Sequence, residues 1–600
     1  MNTSNPAPGG AADPPDWRTP AEKDDYRTTP DYADTLRFLE RIASAHPELV
    51  RVENFGKTGE GRDLKVAIVS RGGLFEPAEI HASGRVVLLV QNSIHAGEMD
   101  GKDACLALLR DLVIDPNRAN LLDNVTLVFI PVYNIDGHER RSAFNRINQN
   151  GPARFGWRAN ATNLNLNRDY LKADAPETRA FLRLFRHWMP DFFVDNHVTD
   201  GADFQYDVTF GFDVTPDVFQ SSADWLRDSV TPELVRRIDA AGHLAFPAPV
   251  FLKDDLDPSR GLALHDNPPR FSTGYMILEN RPGLLVELHM LKDYRTRVTG
   301  NHALLVALLE ILNDDAVTLK VLNREADRAA EELGSAEASR TPFPLCIERG
   351  GNAVQVEFKG YAVERSPSAI SGATMVRYTH KPWNVALPLD AGSDVALAVR
   401  PPAGYLIPAQ WRAVIEVLEA HGVTLRRTTD SWTGQVEKYH CRGMKWPDRP
   451  FEGRHPILRA SNVEPGIGEF GSCRLSIATE TFAAGTVLAP LQQRLSKVVL
   501  HWLEPEAPDS ALRWGFFDSI FEQKESGEAY VLEKIAPNEL ASSPTLRSEF
   551  EDRIRKDPDF AADPAARLNF IYRRTAWGLA NRVGEYPVAR LTSVEGIPAR

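Results

Sequence analysis

Apolar, strand-like runs alternating with helical patterns through residue 315 predict an α/β domain built on a mixed, largely parallel sheet flanked by helices. Three runs carry this reading: Val86–Val90, which continues into Gln91-Asn92-Ser93; Val125–Val132; and Gly283–His289, apolar except for Glu287 and its terminal histidine. Continuous apolar runs, unlike alternating ones, mark strands covered on both faces. In open sheets of this kind the C-terminal ends of the strands open into loops that hold the chemistry.

The elements follow in order. Residues 1–24 are rich in Pro, Gly, Ala, Asp and Asn and are expected to form a disordered tail. Leu36, Leu39, Ile42 and Ala43 recur at helical spacing within 32–49, and Pro47 ends that pattern. Residues 50–70 alternate and turn at Gly59-Glu60-Gly61-Arg62, which predicts an edge hairpin finishing in Leu64–Val69. The run at 86–91 leads through a polar turn into a helix over 101–113 that presents Cys105, Leu106, Leu108, Leu109 and Leu112. Asn134-Ile135-Asp136-Gly137 closes the next strand with a turn.

Residues 138–170 carry little regular pattern and are dense in Arg and Asn; loops this long are functional or disordered, and the embedded aromatics argue for order. A helix over 177–188 and a strand over 191–196 ending at His197 come next. After a loop-rich section and the strand at 283–289, helices over 301–312 and 318–333 close a domain of residues 25–335. Residues 340–600 read as an accessory region of one or two mixed domains, with strands at 354–361, 396–400 and 472–478 and a small β-α-β-like stretch over 404–427.

A 600-residue chain that is 43% hydrophobic and 25% charged has globular composition and length for several cores. A formal charge of −13 argues against a general nucleic-acid or anionic-membrane binder, which needs a basic footprint. The four cysteines, Cys105, Cys346, Cys441 and Cys473, are widely spaced with no Cys-x-x-Cys, so neither a disulfide framework nor a zinc ribbon is expected. No apolar run of about 18 residues is present to span a membrane. No signal peptide is visible, so the expected compartment is cytoplasmic by default, and periplasmic or secreted if a leader was removed.

The turn after the first apolar run holds His95 and Glu98, a spacing that can aim an imidazole nitrogen and a carboxylate at one metal ion. His197, at a strand end, can supply a third ligand, and Glu287, an acid in an apolar strand, would have a pKa raised toward that of a useful general base. Arg158 and Arg168 lie in an Asn-rich loop suited to oxyanions and carboxylates. Each alone has an ordinary alternative: a surface histidine, a core histidine bonded to a carbonyl, an acid paired with Arg281 or Lys292, a solvated basic loop.

Together, over about residues 25–320, these stretches resemble the zinc metallocarboxypeptidases of the carboxypeptidase A-like type. The resemblance implies one Zn²⁺ per chain on His95, Glu98 and His197, with Glu287 as general base and Arg158 as the carbonyl and oxyanion partner. It implies that Asn167 and Arg168, with Tyr275 as the mobile tyrosine, bind the terminal carboxylate of a peptide. Two departures stand out: Gly97 lies where digestive members carry an arginine, and Asp169 follows the Asn-Arg pair, where it would temper the charge of Arg168. The stretches Leu503–Ser510 and Trp514–Phe517 resemble those of large bacterial members and read as packing and turn motifs.

Gly466-Ile467-Gly468-Glu469-Phe470-Gly471 fits G-x-G-x-x-G, but a strand-like segment follows it where a phosphate cradle needs a helix. No G-x-S-x-G supports a serine hydrolase. The expected function is a zinc-dependent carboxypeptidase acting on peptides. The rivals are a zinc amidase or deacylase of small acylated amino acids or cell-wall peptides, and a catalytically silent binding protein.

Overall fold

The computed structural model describes residues 16–265, 267–350, 352–458 and 471–600. In chain order the first domain contains β1 (Val50–Lys57), β2 (Asp63–Val69), β3 (Val86–Asn92), β4 (Val125–Ile130), β5 (Phe192–Val198), β6 (Val208–Phe212), β7 (Ala245–Phe246), β8 (Leu262–Ala263) and β9 (Gly283–Leu288). All but β8 form one eight-stranded sheet in the order β1-β2-β4-β3-β5-β9-β6-β7. The central pairs β4/β3, β3/β5 and β5/β9 are parallel, while β1/β2, β2/β4 and β9/β6 are antiparallel. The sheet is mixed with a parallel centre, as the apolar runs predict.

Strand periodicity divides the core. Val86, Leu88 and Val90 join a hydrophobic cluster with Phe38, Leu108 and Leu305, from the helices Tyr32–Ala45, Asp100–Ile114 and Tyr294–Asp314. Val87 and Leu89 point to the other face, whose cluster contains Phe181 and Trp188 from helix Pro176–Trp188 and continues into Tyr405, Leu418 and Trp502. The C-terminal region therefore packs on the second face of the eight-stranded sheet as part of its core. Burying each such large side chain is worth roughly 2 kcal/mol.

The C-terminal region holds β10 (Phe343–Arg349), β11 (Ala353–Pro367), β12 (Thr374–Asp390) and β13 (Ser393–Val399), then β14 (Gly404–Ile407), β15 (Arg426–Arg427), β16 (Trp432–Arg442), β17 (Ser472–Phe482), β18 (Val487–Pro490) and β19 (Glu585–Leu591). The long hairpin β11/β12 picks up β8 of the first domain as a parallel third strand. Strands β14 to β19 form a six-stranded sheet in which β18 lies between β15 and β14, so the small β-α-β-like stretch is completed by a later strand.

Three expectations are corrected. Pro20–Lys23 is a helix with a capping box between Thr19 and Glu22, so order begins inside the stretch expected as a tail; residues 1–15 of that tail lie outside the described residues. The section expected to be loop-rich contains β6 and helices Gln220–Trp225, Thr231–Ala240 and Ser272–Leu278. Helix 231–240 buries only Leu234 and Ile238, too sparse a stripe to stand out among its arginines. Cys441 and Cys473, directly opposed across β16 and β17, form a disulfide 32 residues apart in sequence, a pairing that spacing could not reveal. Most of the Gly466–Gly471 motif lies outside the described residues.

Candidate metal centre

Asparagine side chains tie the strand ends together beneath the site. Asn196 donates to Asn92 Oδ1 (2.8 Å), Asn301 donates to Asn196 Oδ1 (3.0 Å), and Asn92 donates to the Ile130 carbonyl (2.9 Å). Gly101 makes this junction possible: a Cβ there would lie 2.4 Å from Asn92 Oδ1 and 2.5 Å from Asn196 Cβ. The helix 100–114 can thus start hard against β3 and β5. The chain leaves β3 through Ser93 at φ 58° and folds His95 and Glu98 back over the strand ends, with the Glu98 N–H donating to the His95 carbonyl (2.9 Å).

His95, Glu98 and His197 are all buried, and their ligating atoms lie within 4.8 Å of one another. His95 Nδ1 is 3.2 Å from Glu98 Oε2 and 3.2 Å from His197 Nδ1, and His197 Nδ1 is 3.0 Å from Glu98 Oε2. Tetrahedral zinc with bonds of roughly 2.0–2.1 Å separates its ligand atoms by about 3.3 Å, so this donor set fits the ion in spacing and in type. The outer nitrogens are engaged as well. His197 Nε2 faces Asp195 Oδ2 (2.8 Å) and His95 Nε2 faces Asn165 Oδ1 (3.1 Å), which leaves both Nδ1 atoms to the centre. Asp195 also accepts from Gln91 Nε2 (3.0 Å) and Ser272 Oγ.

Electrostatics follow from burial and charge. Desolvation drives His95 down to about 3, so it is neutral. Burial opposes ionisation of Glu98, but the Arg146 guanidinium and hydrogen bonds from His197 and His95 overcome it and hold the carboxyl well below the usual range. Burial disfavours a charged His197 too, yet Asp195 and Glu98 raise it well above the ordinary value. Glu287 faces His197 in the β5/β9 register; its Oε2 is buried with no hydrogen-bond partner, and burial pushes it up to about 8. The alternative of a paired structural acid fails, because Arg281 pairs with Asp327 and Lys292 with Asp207.

The expected arginines line the same cavity, of about 340 Å³. Arg158, half-exposed, reaches within 3.5 Å of Glu98 Oε1. Arg168 stacks on Phe271 with its guanidinium carbon 3.8 Å from the ring centre, and its Nη1 donates to the Asn167 carbonyl (2.6 Å). Asn167 is buried, with Nδ2 3.4 Å from His197 Nε2 and Oδ1 accepting from the Ser272 N–H (2.9 Å). Asp169 does not temper Arg168: its carboxylate turns to Lys172 and to the N–H groups of Asp174 and Ala175. Phe212, Val250, Phe251, Leu264 and Leu285 give the same cavity an apolar lining.

Tyr275 is a correction. It lies fully buried in helix 272–278, donating to Glu279 Oε1 (2.6 Å) with its hydroxyl 2.8 Å from His421 Nδ1, and it does not line the cavity. A spacing of twelve residues before Glu287 fixed its position in the chain but not its direction, and the helix turns it toward the C-terminal region. His289 is also elsewhere, stacked on Phe204 and bonded to Asp203.

Arg146, Asp195, Asn165, Ser272 and the cavity-lining His265 were not singled out in the sequence. The signal for Asp195 was present, since residues two apart on a strand share a face. Gly97 was a partial signal for Arg146. A Cβ at Gly97 would lie 2.6 Å from Arg146 Cγ, and the Arg146 guanidinium lies 3.0 Å from Glu98 Oε1, so the missing side chain admits a cation from a distant loop.

Residues 35–210 match the family described as zinc carboxypeptidase. Carboxypeptidase 2 of Trichophyton tonsurans is 24% identical over 494 residues, 80% of this chain and 82% of that protein. Carboxypeptidase D of Homo sapiens is 27% identical over 143 residues, 23% of this chain and 10% of that protein. The solved carboxypeptidase A of Helicoverpa armigera is similar at TM-score 0.36 and 18% identity, over 48% of this chain and 74% of that one, and the fold assignment rests on the sheet itself. His95, Glu98 and His197 all fall inside the segment that matches the zinc carboxypeptidase family.

Proposed function

We propose that the chain is a zinc-dependent carboxypeptidase that hydrolyses the last peptide bond of substrates with a free C-terminal carboxylate. The observation that carries the proposal is Glu287, a half-buried acid whose Oε2 is buried without a hydrogen-bond partner, one strand across from His197 in a three-residue cluster that can hold a metal. When bound to His95, Glu98 and His197, zinc supplies Lewis acidity to water and to a carbonyl oxygen. Glu287 takes the proton of the attacking water and returns it to the leaving amine, a role its raised pKa suits. Arg158 donates to the oxyanion that develops on the scissile carbonyl, a contact of a type whose removal costs about 3 kcal/mol.

Arg168 holds the substrate carboxylate. Its ring contact with Phe271 fixes the guanidinium plane, and one donor spent on the Asn167 carbonyl leaves the others for a planar acid. The apolar lining of Phe212, Val250, Phe251, Leu264 and Leu285 receives the terminal side chain.

Release of the terminal amino acid from a free-acid peptide is the test. Release is expected from zinc-loaded protein, lost on chelation and regained with zinc. A protein that binds no zinc, or that is unaffected by its removal, would overturn the reading.

A further inference from the structure

We propose that the C-terminal region is a working part of the active site, in which Asp509 and Glu452 are positioning residues for the segments that bind the substrate carboxylate. The inference rests on the carboxypeptidase reading above. Asp509, fully buried, accepts from the Arg270 N–H (2.9 Å) and from Arg270 Nη1 (2.8 Å), fixing both backbone and side chain of that residue. The next residue, Phe271, is the platform under Arg168, and the one after, Ser272, bonds Asn167 and Asp195. One carboxylate thus sets a three-residue edge of the cavity.

Glu452 acts on the facing edge. Its Oε2 accepts from the Asn165 N–H (2.8 Å), while Asn165 Oδ1 faces His95 Nε2 and accepts from the Asn167 N–H (3.0 Å). The turn that presents Glu452 is itself built by the C-terminal region. Glu452 and Gly453 adopt φ of 50° and 75°, Phe451 stacks on Trp514, and Arg454 lies over Phe516 while pairing with Asp174 through two 2.7 Å bonds. The Leu503–Ser510 and Trp514–Phe517 stretches thereby gain a purpose beyond packing.

Charge points the same way. Burial lowers Arg168 to about 10, and Arg158 and Arg270 add repulsion, while Glu452 and Asp509 oppose it. Without these two acids, Arg158 and Arg168 of the cavity and the neighbouring Arg270 would repel one another with no formal counter-charge from the C-terminal region.

The experiment uses the full chain, zinc-loaded, in the Glu287→Gln background so that substrates bind without turnover. Calorimetry measures a free-acid peptide and its C-terminal amide against Asp509→Asn and Glu452→Gln, both nearly isosteric, with zinc content and Tm recorded. Each variant is expected to weaken free-acid binding about tenfold while leaving amide binding and zinc content unchanged. A role in packing alone would lower Tm and shift both peptides equally, and that result, or unchanged discrimination in folded variants, would overturn the proposal. A parent that binds acid and amide equally would instead overturn the carboxylate clamp on which it rests.

Discussion

Glu287 and His197 are register partners on adjacent parallel strands, so the proposed general base and the proposed third metal ligand are set by one backbone pairing. Any shift of β9 against β5 would move both. Glu287→Gln keeps the shape of the side chain and removes its ability to take a proton. Zinc content is expected to remain and turnover to fall by about 10²- to 10⁴-fold, measured as the steady-state rate on a free-acid peptide.

The metal-free protein carries a pH signature of the same residue. Glu287 has a folded pKa of about 8 against an ordinary 4.5, so the folded state holds the proton more tightly. Its stabilisation is whole below the unfolded value and is lost as pH rises toward 8, with a slope of at most about 1.4 kcal/mol per pH unit. Urea unfolding of chelated protein between about pH 5 and 8 should show wild type losing stability relative to Glu287→Gln. A flat difference would place the acid in a solvated or paired setting.

Histidine substitutions separate the centre from its surroundings. His197→Ala is expected to abolish tight zinc binding, while His289→Ala, bonded to Asp203 and stacked on Phe204, should leave it intact. Asp195→Asn should weaken zinc by about 10- to 100-fold, because it removes the charge that orients His197. Competition with a chromogenic chelator measures all three.

The disulfide is checked by counting thiols in denaturant. Cys105 and Cys346 are buried thiols outside the disulfide, and Cys441 is joined to Cys473, so two reactive thiols are expected before reduction and four after.

The sheet was legible because β3, β4 and β9 are largely apolar runs, β9 broken only by Glu287, a pattern that survives without any knowledge of partners. That His95, Glu98, His197 and Glu287 belong to one candidate site was legible through their resemblance to a family rather than through spacing alone. What stayed hidden depends on distant contacts. Arg146 reaches Glu98 only because loop 138–170 folds over Gly97, and Tyr275 meets His421, 146 residues away. The seat of Leu418 and Trp502 on the eight-stranded sheet was equally invisible, because an amphipathic pattern says that a face is covered but not by what.

The most direct test of the central claim is the ratio of kcat/KM for a free-acid peptide to that for its C-terminal amide, measured on zinc-loaded protein. Arg168 held over Phe271 predicts a preference for the free acid of at least about 100-fold, the worth of a charged hydrogen-bonded pair. Equal cleavage of acid and amide would contradict it and would point to a zinc amidase with no terminal clamp.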